Sequence, residues 1–171
     1  QLLGAAHRAL QPSQESILRE AFALCSLPLY VKLVFETARL WKSQDSPTQP
    51  GPGIPHVIRE LFRRLSQPAN HDALIVSRGL AYLASGKSGL TEDELLDLLS
   101  RDVDVMARVR DSAHYAIREG DPLPVVLWSR LYFDLKPYLN DRAADGTVVL
   151  SFFHRQFKQI VGADFLTERE G

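Results

Sequence analysis

The sequence predicts a mainly α-helical fold that closes with one small β-hairpin and a last helix. Three observations predict it. Apolar residues recur at helical spacing through most of the chain. Thr91-Glu92-Asp93-Glu94 forms a capping box at the head of one periodic stretch. Near Tyr138 the period shortens, and Asp145-Gly146 offers a tight turn between two short runs.

The elements follow in order. Pro12-Ser13 is a start signal, and Ile17, Leu18, Phe22 and Leu24 continue at roughly helical spacing. Pro28 interrupts, and proline is best tolerated in the first turn of a helix, so a second helix is expected from Leu29 to about Lys42. Its apolar positions, among them Leu29, Leu33, Phe35, Leu40 and Trp41, surround much of its girth, which predicts burial. From Ser43 to Pro55 the prolines Pro47, Pro50, Pro52 and Pro55 share the chain with Gly51, Gly53 and Ser46. That stretch is a semi-rigid linker or long surface loop, and the candidate internal boundary. Val57, Ile58, Leu61, Phe62 and Leu65 predict a short amphipathic helix, and Leu74, Ile75, Leu80 and Leu83 a longer one from about His71 to Ser85.

Lys87-Ser88-Gly89 turns the chain, and the helix opened by Thr91 carries Leu95, Leu96, Leu98 and Leu99. Val103 to Asp121 is weakly periodic and holds a lesser helix. Pro124 opens a further helix through Val126, Leu127, Leu131 and Leu135. Tyr138 to Arg142 and Thr147 to Phe152 form the hairpin, and Phe157, Ile160, Val161 and Phe165 mark the inner face of a closing helix from about Phe153. This is the element order of a winged-helix domain with extra helices.

Composition bounds the function. The 171 residues suit one domain, or a small domain with an appendage. At 45% hydrophobic and 24% charged, the chain is neither disordered nor fibrous. Cys25 is the only cysteine, so no internal disulfide forms, as in a reducing compartment. Twenty basic and twenty-one acidic residues leave a net charge of -1. The pI is near 6.6. That balance argues against attraction to nucleic acid or anionic lipid by bulk charge. No apolar run approaches the roughly 18 residues of a membrane span. Starting at Gln1 without a signal peptide, the chain is expected to be a piece of a longer cytoplasmic protein.

Few residues point to chemistry. Gly86-Lys87-Ser88 resembles the end of a phosphate-binding loop, but position 81 is Ala81 where that motif needs glycine, and a helix rather than a strand precedes it. The stretch reads as a polar turn. His7, His56, His71, His114 and His154 lack metal-ligand spacing, and no metal is expected. No nucleophile elbow is present, and Cys25 suits a small core residue, so no catalytic residue is assigned and the segment alone is not expected to be an enzyme. A winged-helix DNA-binding regulator is the alternative. Its groove-reading helix would be Val125 to Lys136, where only Arg130 and Lys136 are basic and Trp128, Tyr132 and Phe133 suit core or interdomain packing.

Two further local sequences matter together: Ser26-Leu27-Pro28-Leu29-Tyr30 and Leu150-Ser151-Phe152-Phe153-His154-Arg155-Gln156-Phe157, with Gly89-Leu90-Thr91-Glu92-Asp93-Glu94-Leu95 between them. In order and spacing they resemble the STAND class of signalling ATPases, within it the NACHT-type branch carrying WD or TPR repeats, related to telomerase-associated and nephrocystin-like proteins. The likeness runs from about Gln11 to Phe165. It implies that residues 1–45 end a helical lid, 46–54 form a Pro/Gly-rich linker and 55–171 form a winged-helix domain. The resemblance gives Pro28 the role of packing on adenine and His154 that of contacting the β-phosphate of ADP in the resting state. The usual glycine before the first motif is Ser26 here, and the acidic residue often found after the histidine is Arg155, itself able to face a phosphate. ADP or ATP would be bound mainly by an upstream nucleotide-binding domain, with a repeat sensor downstream and assembly of protomers on activation. Neither membrane nor nucleic acid is an expected partner. For His154 the residues alone suggest a cap at the wing corner; with the resemblance, its place at the first turn of the closing helix favours a phosphate.

Overall fold

The chain, described here by a computed structural model covering residues 10–44, 47, 49–113, 116–144 and 146–166, divides into two compact units, residues 1–61 and 62–171. Sequence expectations at His7, Ser46, His114 and Asp145 lie outside the described residues. The architecture is mainly helical with one small three-stranded antiparallel sheet. Among the described residues no helix is long and apolar enough to cross a membrane.

In the first unit, α1 (Pro12–Leu24) and α2 (Pro28–Ala38) each place proline at the start, where its missing N–H costs no helical bond. Gln14 is buried in α1; its Oε1 accepts the Gln11 N–H at 3.2 Å and its Nε2 donates to the Lys42 carbonyl at 2.8 Å. The expected run of α2 to Lys42 is cut short at Ala38. There the N–H groups of Leu40 and Trp41 turn to carbonyls three residues back, Thr37 and Ala38, and the tightened turn ends the helix. Cys25 is not in the core: it is half-buried as the C-cap of α1, its N–H bonded to Ala21. Tyr30 is fully buried, and its hydroxyl donates to the Gly51 carbonyl at 3.1 Å. A Cβ at Gly51 would overlap the His56 ring, so glycine lets this part of the Pro/Gly-rich stretch approach closely. α3 (Ile54–Leu65) buries Ile54, Val57, Ile58, Leu61, Phe62 and Leu65, and the division between the units falls within it.

In the second unit, α4 (Ala73–Ser85) leads through Gly86–Gly89 to β1 (Leu90–Thr91) and α5 (Glu92–Arg101). The capping box is as expected: the Glu94 N–H donates to Thr91 Oγ1 at 3.1 Å, and the Thr91 N–H donates to Glu94 Oε2 at 2.8 Å. α6 (Val103–Ser112) and α7 (Val125–Leu135) follow, then a short tight turn, β2 (Leu139–Ala144), β3 (Thr147–Phe152) and α8 (Arg155–Val161). A wider turn over Gly162–Leu166 carries Phe165, where the sequence predicted continuous helix. The hairpin pairs Leu139 with Phe152 and Asp141 with Leu150. β1, which the sequence did not reveal, pairs Leu90 with Leu150 and Thr91 with Val149 on the other edge, giving the order β1-β3-β2. Leu80, Leu83, Leu95, Leu99, Trp128 and Leu131 fill the helical core. Phe133 does not pack into this chain's core: it is 70% exposed, on the face of α7 opposite Trp128, Leu131 and Leu135, which leaves only interdomain packing of the two roles expected for it.

Two glycines separate conformational need from mere smallness. At Gly79 in α4 an added Cβ would meet Leu131 at 3.6 Å and Trp128 at 3.8 Å, ordinary contact. Gly89 has φ +96°, and a Cβ there would stand 2.5 Å from the Leu150 carbonyl oxygen. In urea unfolding, Gly79→Ala is expected to leave stability unchanged or raise it by up to about 1 kcal/mol, the helix-propensity gain. Gly89→Ala should lose about 1–3 kcal/mol through left-handed backbone strain and the clash on β3. Equal effects of the two substitutions would refute this reading of the β1–β3 approach.

Candidate functional site

The corner between β3 and α8 carries two of the three residues singled out by sequence. His154 is the N-cap of α8, in extended conformation with φ -139° and ψ 137°. Its Nδ1 accepts the Gln156 N–H at 3.2 Å, and its carbonyl accepts the Phe157 N–H at 3.1 Å. The sequence reading placed His154 inside the first turn, beside free N–H groups; it stands just before that turn, and its ring takes one of them. The cap suggested by the residues alone is therefore present. A neutral imidazole carries one proton, so acceptance at Nδ1 assigns that proton to Nε2. The half-buried ring thus presents one N–H donor, and Arg155 next to it is exposed.

Aromatic packing fixes this corner. Phe157 is fully buried, stacked on Phe152 at 5.4 Å and flanked by Phe153, Tyr138 and Phe62 at 5.6, 5.8 and 6.2 Å between ring centroids. Such pairs add about 0.5–1.5 kcal/mol each beyond area burial. Pro28, the third residue, belongs to the first unit. It is exposed at the first position of α2, next to Leu27 (57% exposed), and Leu24 at the end of α1 is 67% exposed. These are exposed apolar surfaces.

The second unit holds its charged groups in capping nodes that the sequence analysis missed. Asp72 caps α4, accepting the N–H groups of Leu74 and Ile75 at 2.9 and 3.4 Å, while Arg108 of α6 donates to it at 2.7 Å. Asp102 caps α6 through Asp104 and Val105, accepts the Tyr82 hydroxyl at 2.7 Å and lies 3.1 Å from Arg78. Burial alone would raise both carboxyls. For Asp72 the hydrogen bonds from Arg108, Leu74 and Ile75 and the Arg108 charge outweigh it; for Asp102 the Tyr82 and backbone hydrogen bonds and the Arg78 charge do so, and both end below their ordinary range. An aspartate directly before a periodic run was the available signal, in His71-Asp72-Ala73 and Arg101-Asp102-Val103.

Asp72 and Arg108 border a cavity of about 960 Å³ whose wall includes Leu74, Leu127 and Arg130. His71 Nε2 lies 2.8 Å from Asp134 Oδ2, joining the entry of α4 to α7. Among the described residues no group of three or more His, Cys, Asp or Glu gathers as a metal site.

Comparison with known proteins places the chain. No family model matches it. No solved structure does either. It is 35% identical over 169 residues to the human NACHT domain- and WD repeat-containing protein 1, covering 99% of this chain and 11% of that protein. The mouse protein of the same name is 34% identical over the same length. The mouse NACHT and WD repeat domain-containing protein 2 is 29% identical over 165 residues, covering 94% of this chain and 9% of that protein. The homologues are NACHT- and WD-repeat-containing proteins, and the chain spans about 11% of the length of the first of these curated relatives. Over nearly its whole length the chain is similar to one segment of each of these NACHT- and WD-repeat-containing proteins.

The capping carboxylates carry a pH dependence with a definite sign. Folded-state pKa values below the unfolded value of about 3.9 mean stability that is present above that value and lost as pH falls through the folded values. Asn caps a helix as well as Asp, so Asp72→Asn removes the Arg108 attraction and keeps the cap. Its urea midpoint is expected to fall at pH 7 and to approach the parent's below pH 3. A constant deficit at both pH values would show that the charge is not the source.

Proposed function

We propose that this chain is the regulatory nucleotide-switch segment of a NACHT-type signalling ATPase, acting to hold a closed, ADP-bound state. In this reading residues 1–45 end the helical lid, 46–54 are the linker and 55–171 are a winged-helix domain. The sequence α4, β1, α5, α7, β2, β3 with strand order β1-β3-β2 supports that assignment, α6 being an insertion. The single observation that carries the switch role is the protonation geometry of His154: its Nδ1 is engaged by the backbone, and its Nε2–H is left to donate.

In the second unit His154 offers a donor and Arg155 an exposed guanidinium beside it, groups that suit a diphosphate; in the first unit, taken by itself, Pro28 with Leu27 offers an exposed apolar face that suits a purine. When bound, ADP would supply a charged diphosphate for these donors and a flat ring for that face. One charge-assisted hydrogen bond contributes roughly 1.5–3 kcal/mol, enough to bias a two-state arrangement tenfold or more. Because the aromatic cluster fixes the backbone on both sides of His154, its donor is already oriented and little ordering entropy opposes the contact. Hydrolysis would lie in an upstream nucleotide-binding domain, sensing in downstream WD repeats, with protomer assembly on release and a cytoplasmic setting. DNA binding is less well supported: the outer face of α7 exposes Val126 and Phe133, with Arg130 the one cation between them.

His154→Asp tests the role without losing the cap, since aspartate accepts the same backbone N–H but cannot donate and repels phosphate. In the protein with its nucleotide-binding domain, the variant is expected to unfold within about 1 kcal/mol of the parent, the usual margin for a retained cap. It should release ADP about tenfold faster, the effect of losing one such bond, and raise basal activity. Unchanged ADP retention in a folded variant would sink the proposal.

A further inference from the structure

The Gly86-Lys87-Ser88-Gly89 turn, which fails as a phosphate loop by sequence, meets two basic side chains from distant elements. A polar cleft of about 570 Å³ lies where this turn faces β2, β3 and α8. Lys87 comes from the turn, Arg142 from β2 and Lys158 from α8, and among the described residues Asp141 is the one carboxylate lining the cleft with them. Ser88, Ser151 and Asn140 also line it. Lys158 Nζ donates to the Gly86 carbonyl at 2.7 Å, and Arg142 donates to the Ser88 carbonyl at 3.3 Å. Each commits one N–H and keeps others, since an ammonium has three and a guanidinium five. Lys87 has no hydrogen bond or ion pair among the described residues. Asp141 Oδ2 accepts the Tyr132 hydroxyl at 3.3 Å, which directs part of its charge elsewhere.

The turn carrying these cations packs tightly: Gly89 lies so close to β3 that a Cβ there would meet the Leu150 carbonyl oxygen, and a Cβ at Gly86 would come within 3.0 Å of the Gly89 carbonyl. Three positive side chains held around one cleft repel one another, and a multivalent oxyanion relieves that repulsion while using the spare donors. We propose that this cleft binds the phosphate end of a small phosphorylated molecule. The volume is within the range of small-molecule sites. A nucleic acid would need a row of cations along its backbone, and this chain has a net charge of -1 and an apolar outer face on α7. In place of the backbone cradle of a true phosphate loop, side chains of β2 and α8 supply the charge.

The test is a titration of inorganic pyrophosphate into the 171-residue chain at about 0.15 M salt, followed by backbone amide NMR. Saturable shifts are expected at Lys87, Ser88, Gly89 and Arg142, and a Kd about tenfold weaker in Lys87→Ala. Lys87 is exposed and has no hydrogen bond or ion pair among the described residues, so this variant is expected to keep the fold; Arg142→Ala, which also frees the Ser88 carbonyl, should weaken binding further. Shifts that do not saturate, or a Kd unchanged in Lys87→Ala, would overturn the site. Tighter binding of duplex DNA at equal phosphate concentration, with a steep salt slope, would overturn it in favour of a nucleic-acid surface.

Discussion

The burial of Phe157 among Phe152, Phe153, Tyr138 and Phe62 is the interaction on which the second unit most depends. It joins the end of β3, the turn before β2, the tail of α3 and the whole of α8. A seven-residue helix has almost no independent stability, because nucleation consumes most of what so few backbone bonds return. α8 therefore exists where Phe157, Ile160 and Val161 hold it down. His154 inherits its place from that packing, three residues before the buried ring.

Polar groups secure what the apolar core leaves loose. α4, α5 and α6 all begin on a side-chain cap, Asp72, Thr91 and Asp102. Two of these caps are also ion-pair nodes reaching to another helix, Asp72 to Arg108 of α6 and Asp102 to Arg78 of α4. Capping and inter-helix alignment are thus carried by the same carboxylates. At Gly86–Gly89 the logic is repeated with cations: Lys158 and Arg142 satisfy the turn carbonyls and at the same time gather positive charge beside the hairpin. A fold that reuses its locking groups in this way can present donors to a ligand without further ordering cost.

Helices were the legible part of the fold. Their apolar periods are local, and prolines or capping residues announced the starts at Pro12, Pro28, Thr91 and Pro124. The hairpin was legible too, from the shortened period near Tyr138 and the Asp145-Gly146 turn signal between two short runs. β1 was not: two residues show no period, and Leu90-Thr91 becomes a strand only because β3 offers a free edge. The end of α2 at Ala38 was hidden for a related reason, since Leu40 and Trp41 continue the apolar pattern while their N–H groups have already left it.

Of the candidate site, the sequence alone determined the residue types and their neighbours: an imidazole and a guanidinium at the mouth of the last helix, a proline at the head of an early one, and a glycine-lysine-serine turn. Tertiary structure decided what those groups have left to offer. It spent Nδ1 of His154 on a backbone amide and so set the tautomer, and it turned Phe133 out to solvent. It also brought Arg142 and Lys158 to Lys87 across intervals of 55 and 71 residues. Periodicity records which face of an element is apolar, but hydrogen-bond partners and charge clusters arise between elements distant along the chain, and no local pattern encodes them.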